Sequence, residues 1–280
     1  MADVDLATAD GQDRYVPSAT RDIMSAGHEG VYEWVAEHLV KKGARALDLG
    51  CGTGYGVALL AGAGATADGA DSSPAAIAYA TEHYGAPGIR FFVADLVKPL
   101  PKEFAPSSYD LVVSSEVLEH VVDPFAYVRG MADSAVDDGV CFVGTPNRLW
   151  SNEHLPAGHL LAPSHLMEFT PPALIALLET VFEDVKLMVR VFPKGAMNTE
   201  ETPARPRPQL ITATAALVRK VAPGVVARIK HAVEPPTQPA QEWLASDIVW
   251  APYDDPTVDM DRAVGLAAVC RRPRRRPSTV

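Results

Sequence analysis

Two stretches of this chain carry residue types and spacings that can do chemistry. In EVLEH, residues 116–120, the polar groups are Glu116, Glu119 and His120. If the stretch enters a helix, spacings of three and four bring all three to one face, as a shelf for a divalent cation or as a wet helix end. The second stretch is LDLGCGTGYG, residues 47–56. Its Gly50, Gly52 and Gly54 let a strand turn tightly into a helix and let a ligand approach the backbone with no Cβ in the way. The spacing is GxGxG, and a dinucleotide fingerprint, GxGxxG, fails because position 55 is Tyr. Asp48 puts a carboxylate where a pyrophosphate would approach, and it suits a ligand bearing an ammonium group instead. Asp71 follows Gly50 by 21 residues at the end of the next strand, a position suited to holding a ribose diol, and Asp95 ends the third strand, where it can accept from an adenine amino group.

The elements around these residues alternate. GHEGVYEWVAEHLVKKG has helical spacing and ends in two lysines and a glycine at Gly43. ARALDLG then reads as a strand, VALLAGAG as a helix, TADGAD as a strand and SPAAIAYATEHYG as a capped helix. IRFFVAD, YDLVVSS, PFAYVRGMADSAV and GVCFVGTPN continue the pattern. The implied fold class is α/β, a doubly wound, mostly parallel sheet whose ligands bind at the carboxyl ends of the strands. EVLEH follows the fourth strand and therefore lies at that edge. TPN, 145–147, ends the fifth strand, and SHLMEFTPPAL, 164–174, offers His165 and Glu168 just before a helix.

The chain's 280 residues, 48% of them hydrophobic, suffice for one large body. Its net charge of −10 understates the acidity of that body, because five of the 25 Lys+Arg sit in the last ten residues. Such a surface repels phosphate backbones, and the terminal Arg run reads as a solvated end. Nucleic acid is accordingly not the expected partner. Cys51, Cys141 and Cys270 form no paired spacing and read as core residues of a reducing compartment. The N-terminus has no apolar h-region, and the longest uncharged run, 49–67, holds six glycines and would make a poor membrane helix, so a cytoplasmic protein without a membrane span is expected.

Here the sequence resembles the class I methyltransferases that use S-adenosyl-L-methionine, over roughly residues 27–190. The resemblance implies a Rossmann-like, seven-stranded methyltransferase fold with a C-terminal insertion. It implies that Asp48, Gly50, Gly52 and Gly54 hold the methionine part of the donor, Asp71 and Ser72 the ribose, and Asp95 with Leu96 the adenine, with Ser115 beside them. EVLEH followed by TPN and HxxEF is similar to two branches, the ubiquinone-biosynthesis O-methyltransferases and the small-RNA 2′-O-methyltransferases. That similarity implies a divalent metal (Mg, Mn or Zn) on Glu116, Glu119, His120 and His165, with His120, His165 and Glu116 as catalytic candidates. A metal on a hydroxyl oxygen lowers its pKa and fixes its position. In the metal-free alternative a histidine is a base or a hydrogen-bond partner.

The resulting expectation is an O-methyltransferase acting on a hydroxyl of a small molecule, a sugar or polyhydroxylated natural product. N- or C-methylation, or a non-catalytic donor-binding regulatory module, are the alternatives. The expected organisation is an N-terminal segment 1–26, a methyltransferase core 27–191, a Pro-rich insertion 192–256 holding ten of the 24 prolines, a last strand within 257–270 and a basic tail 271–280. The insertion contains two helical patterns, QLITATAALVRK and GVVARIKHAV, and reads as a lid or a homodimer element. His154 and His159 fall in a loop over the pocket. Tyr15 reads either as folding over the donor's carboxylate or as packing apolarly, and Trp150, Phe169 and Trp243 as lining the acceptor pocket or filling core.

Overall fold

The computed structural model describes residues 15, 17, 23–96, 107–194 and 244–274. Its elements run α1 (Ile23–His38), β1 (Arg45–Leu49), α2 (Tyr55–Gly62), β2 (Thr66–Asp71), α3 (Pro74–Tyr84), β3 (Ile89–Val93), β4 (Tyr109–Ser115), α4 (Pro124–Ser134), β5 (Ala135–Pro146), α5 (Arg148–His154), α6 (Pro171–Glu179), β6 (Phe182–Val191), β7 (Val249–Pro252) and β8 (Ala263–Pro273). One eight-stranded sheet has the order β3-β2-β1-β4-β5-β8-β6-β7. The first five strands pair in parallel. The register between β5, β8, β6 and β7 is antiparallel.

Strand alternation sorts side chains to two faces. Leu47, Leu49, Tyr109 and Val112 join Tyr127, Met131, Leu174 and Leu178 from α4 and α6 in one core. Ala46, Leu111 and Val113 join Val31, Tyr32, Val57, Leu60 and Ile77 from α1, α2 and α3 in the other. Asp48 belongs to the second face by the same alternation, which sets it beneath α1. The helices start where capping chemistry allows. Ser73, Asp123, Asn147 and Thr170 each accept from a first-turn N–H, and α3, α4 and α6 carry Pro in that turn.

The amino edge of the sheet is pinned by one carboxylate. Asp68 on β2 is 5% exposed and accepts two bonds from Arg90 on β3 and one from Tyr109 on β4, with Arg45 of β1 at 4.0 Å. The carboxyl edge, left open by this arrangement, carries the functional residues.

Three expectations change. The sheet has eight strands, because Val249–Pro252 pairs antiparallel with Met188–Val191 as β7. The last strand continues past Cys270 through Pro273, so Arg271 pairs in the ladder with Val140 on one side and Asp184 on the other, Arg272 follows within the strand, and Arg274 donates to the Glu179 and Phe182 carbonyls. The expected basic tail is thus shorter, and its remainder lies outside the described residues. Lastly, EVLEH forms only a 3-10 turn, Leu118–His120. Of the expected insertion, Phe192 packs with Ile23, Trp150, Ile248 and Val264. Trp243 and the two helical patterns lie outside the described residues.

The turn from β1 into α2 depends on Gly54. Its φ is 87°, and an added Cβ would lie 2.7 Å from the Ala80 Cβ and 2.8 Å from the Phe91 ring. Gly54→Ala therefore combines left-handed strain with overpacking and is expected to destabilise by about 2–4 kcal/mol. Gly62, in the same helix with nothing within 4 Å of its Cβ position, is the control. Gly62→Ala should be neutral or stabilising by up to about 1 kcal/mol. Urea unfolding of the two variants checks the contrast.

Candidate active site

The donor half is built at the ends of β1 and β2. Asp48 is fully buried, and its Oδ1 accepts from Tyr32 Oη at 3.0 Å. Oδ2 has no partner among the described residues. Tyr32 can reach it because position 56 is glycine, where a Cβ would stand 2.3 Å from the Tyr32 ring. Burial, opposed by the Tyr32 bond, pushes the Asp48 carboxyl up to about 7. Gly50 has φ 83° and leaves room for the Val117 side chain, whose Cγ2 would lie 2.2 Å from an added Cβ.

Asp71 is 5% exposed, and its two oxygens accept from Gly52 N at 3.1 Å and Ser73 N at 2.8 Å, so it clamps the glycine turn to the start of α3. Ser72 and Asp95 are exposed, Ser115 is half-buried, and Leu96 packs against the core. Tyr15 comes to the same turn. Its carbonyl accepts from Thr53 Oγ1 at 2.7 Å, its hydroxyl donates to Glu29 at 2.6 Å, and its ring stacks on His28 and meets Tyr55 edge-on. These residues fit S-adenosyl-L-methionine on one observation: a buried carboxylate oxygen of Asp48 lacks a donor among the described residues where an ammonium would supply one.

The acceptor half follows β4. Glu119 is fully buried, with Oε2 accepting from Thr145 Oγ1 at 2.8 Å and Oε1 without a partner among the described residues. Burial first and the nearby Glu116 charge second push its carboxyl well above the usual range. The Glu119 carbonyl accepts from Leu166 N, which ties the 160s loop to EVLEH. His120 Nδ1 donates to the Ser164 carbonyl at 3.0 Å, and its Nε2 is 3.9 Å from Glu119 Oε1. His165 Nδ1 donates to Glu168 Oε1 at 2.9 Å, and that oxygen also accepts from Leu161 N. Burial opposes it, yet these bonds hold the Glu168 carboxyl below the usual range. A carbonyl and a carboxylate can only accept, so the neutral form of each imidazole has the proton on Nδ1 and the lone pair on Nε2.

Glu119, His120 and His165 each offer a ligand atom, all within 4.8 Å of one another. Two metal–ligand bonds of about 2.1 Å span at most about 4.2 Å, so a small side-chain closure would put one ion on all three. Glu116 does not join them. With φ 56°, it turns its Oε1 to Arg190 Nη2 at 2.9 Å. Burial alone would raise the Glu116 carboxyl, but Arg190, with His28 and His165 beyond it, holds it below the usual range. Of the four expected ligands the structure therefore gathers three and pairs the fourth elsewhere.

His159 is exposed, and His154 stacks on the buried Trp150. Phe169 is core. Sequence reasoning did not find Tyr32, His28 or Arg190. Only Arg190 left a trace, as a charge inside the apolar strand EDVKLMVRV.

The orphaned Asp48 oxygen sets a trade between stability and ligand binding. The native carboxyl titrates at about 7 and the unfolded one near 3.9. Its penalty is therefore absent below pH ~4, grows between ~4 and ~7 and is complete above. Asp48→Asn should raise ligand-free stability above pH 7 by about 1–3 kcal/mol, with the gain vanishing toward pH 4. The same variant should bind S-adenosyl-L-methionine at least about tenfold more weakly at pH 8. Thermal unfolding across pH and calorimetry check the two halves.

Residues 29–181, more than half of the chain, match the family model of a methyltransferase domain. A probable S-adenosylmethionine-dependent methyltransferase of Mycolicibacterium smegmatis is 30% identical over 253 residues, covering 88% of each chain. A ubiquinone biosynthesis O-methyltransferase of Burkholderia vietnamiensis is 36% identical over 115 residues, 41% of this chain and 50% of that one. The chain thus spans about half the length of such ubiquinone relatives. Among solved structures, phosphoethanolamine N-methyltransferase 2 of Haemonchus contortus, in complex with S-adenosyl-L-methionine, is similar at a TM-score of 0.51 with 17% identity, over 87% of this chain and 52% of that one. No helix among the described residues is long and apolar enough to cross a membrane. The glycine turn with its orphaned carboxylate, the strand order and these matches agree: the chain belongs to the class I S-adenosylmethionine-dependent methyltransferases.

Proposed function

We propose that the enzyme methylates a hydroxyl oxygen of a small polyhydroxylated molecule and that a divalent cation assists the transfer. The supporting observation is the convergence of Glu119, His120 and His165 at the sheet edge that also carries Asp48 and the glycine turn. The O-methyltransferase name of the ubiquinone relatives favours oxygen as the acceptor atom.

S-adenosyl-L-methionine, when bound, supplies a methyl group on an electrophilic sulfonium. The chain's part is chiefly orientation, worth several kcal/mol when reacting atoms are held in line. Asp48 would anchor the ammonium end and Asp71 the ribose. A cation on Glu119, His120 and His165 would lower the pKa of the acceptor hydroxyl. Imidazole with carboxylate permits Mg²⁺ and favours Mn²⁺ or Zn²⁺. The Glu168 carboxylate behind His165 and the Ser164 carbonyl behind His120 accept from Nδ1 and so fix both rings with Nε2 forward, as the partners behind metal-binding histidines do.

The same fixed rings support a second reading, in which no metal binds and His120 or His165 removes the hydroxyl proton at Nε2, worth about 10²–10⁴-fold. One experiment separates the two. With metal assistance, chelator abolishes transfer, Mn²⁺ or Zn²⁺ restores it, and Glu119→Gln loses at least about 10–100-fold in activity while S-adenosylhomocysteine binding is kept. Full activity in a metal-stripped preparation removes the cation and leaves the histidine base. In that case His165→Ala should be partly rescued at high pH. Methyl transfer is followed by the mass of the acceptor, which also reports oxygen, nitrogen or carbon as the site.

A further inference from the structure

Arg190 lies on β6, beyond β8 from the site, and is 3% exposed. Its register neighbour on β8 is Gly265, where a Cβ would stand 2.7 Å from Arg190 Nε and 2.9 Å from Nη2. Glycine at 265 therefore clears a channel through which the guanidinium crosses toward β4. At the far end Nη2 donates to Glu116 Oε1 at 2.9 Å, Nη1 to the Gly27 carbonyl at 3.4 Å, and the Phe192 ring flanks the guanidinium at 5.6 Å. Nε has no partner among the described residues.

Glu116 receives this arginine from an uncommon backbone. A long side chain at φ 56° costs conformational energy and persists where surroundings enforce it, as at ligand-binding positions. Its side chain remains 16% exposed, against 3% for Arg190. Besides Arg190, His28 on α1 and His165 on the 160s loop help hold its carboxyl below the usual range against burial. A carboxylate already neutralised by a buried arginine makes a poor cation site. It remains a strong acceptor for a neutral hydroxyl donor.

We propose that Arg190 is a positioning residue that presents Glu116 to a second hydroxyl of the acceptor, so that the enzyme selects molecules with a hydroxyl adjacent to the one methylated. This deepens the reading of the site as a hydroxyl methyltransferase and rests on it. Glu116 touches the acceptor, and Arg190 acts through Glu116 by holding the carboxylate ionised and in one orientation. Selection then comes from an unpaired buried acceptor whenever the second hydroxyl is missing.

The test uses the full chain, metal-stripped and with chelator present so that chelation by a cation cannot produce a diol preference, and saturated with S-adenosylhomocysteine. Calorimetry compares catechol with phenol and myo-inositol with cyclohexanol. The wild type should bind at least one diol roughly tenfold or more tightly than its single-hydroxyl counterpart. Glu116→Ala and Arg190→Met should each bring that ratio near one without changing affinity for S-adenosylhomocysteine. Arg190→Lys, which keeps the charge but not the fork, should retain part of the preference. A preference that survives Glu116→Ala overturns the proposal, as does its absence in the wild type. If Arg190→Met fails to fold, Glu116→Ala and Arg190→Lys still decide it. A diol preference with methyl transfer found on nitrogen or carbon would overturn the hydroxyl reading and leave the Arg190–Glu116 arrangement standing.

Discussion

Like charges crowd the carboxyl edge of this sheet, and the way each is managed determines what the site can do. Asp48, Asp71, Glu116, Glu119 and Glu168 all approach it, and an unscreened carboxylate in such a place is costly. Asp71 takes two backbone N–H groups, and Glu168 takes a histidine and a backbone N–H. Glu116 takes a buried arginine. Asp48, Glu119 and Glu168 each keep one buried oxygen without a hydrogen-bond partner among the described residues, and of these carboxyls Asp48 and Glu119 are pushed upward by burial. The satisfied acids shape the backbone. In the proposed function the free Asp48 oxygen takes the donor's ammonium and the free Glu119 oxygen takes the assisting cation.

The two halves of the site differ in how far along the chain their contacts reach. The donor half lies within one strand-turn-helix unit and the strand after it, with Tyr32 and Tyr15 added from the segment just before. The acceptor half is assembled from β4, the 160s loop and β6, and its defining contact joins residues 74 positions apart. An edge built from distant elements can change acceptor while the donor turn stays as it is.

This difference also explains what could be read in advance. The glycine turn, Asp48, Asp71 and the alternating elements were legible because each depends on local spacing, strand period and turn chemistry. His120 and His165 were legible as residues of the right type near one edge, though their Nδ1 partners, a carbonyl and Glu168, appear only in three dimensions. That Glu116 stands apart from Glu119, His120 and His165 was not legible, because the chain makes a 3-10 turn at Leu118–His120 and Glu116, at a left-handed φ, pairs with Arg190 from a distant strand. β7 went unread because a four-residue strand that ends in Pro252 gives almost no periodic signal, and Arg271 and Arg272 looked like a tail because charge outweighed their place in β8.

Arg190 shows how a long-range contact can be decisive and nearly silent. A buried arginine with an unsatisfied Nε costs stability, and replacing such a pair with apolar residues is often neutral or favourable. The fold nonetheless accommodates it with a glycine on the neighbouring strand, an aromatic ring beside it and a strained glutamate at its end. The ring beside the guanidinium is favourable, but the strand glycine and the strained glutamate are each costly, so stability does not explain them. They become intelligible if the arginine's purpose is the position and charge of Glu116, that is, a fixed hydrogen-bond acceptor on the acceptor side of an otherwise shared donor-binding fold.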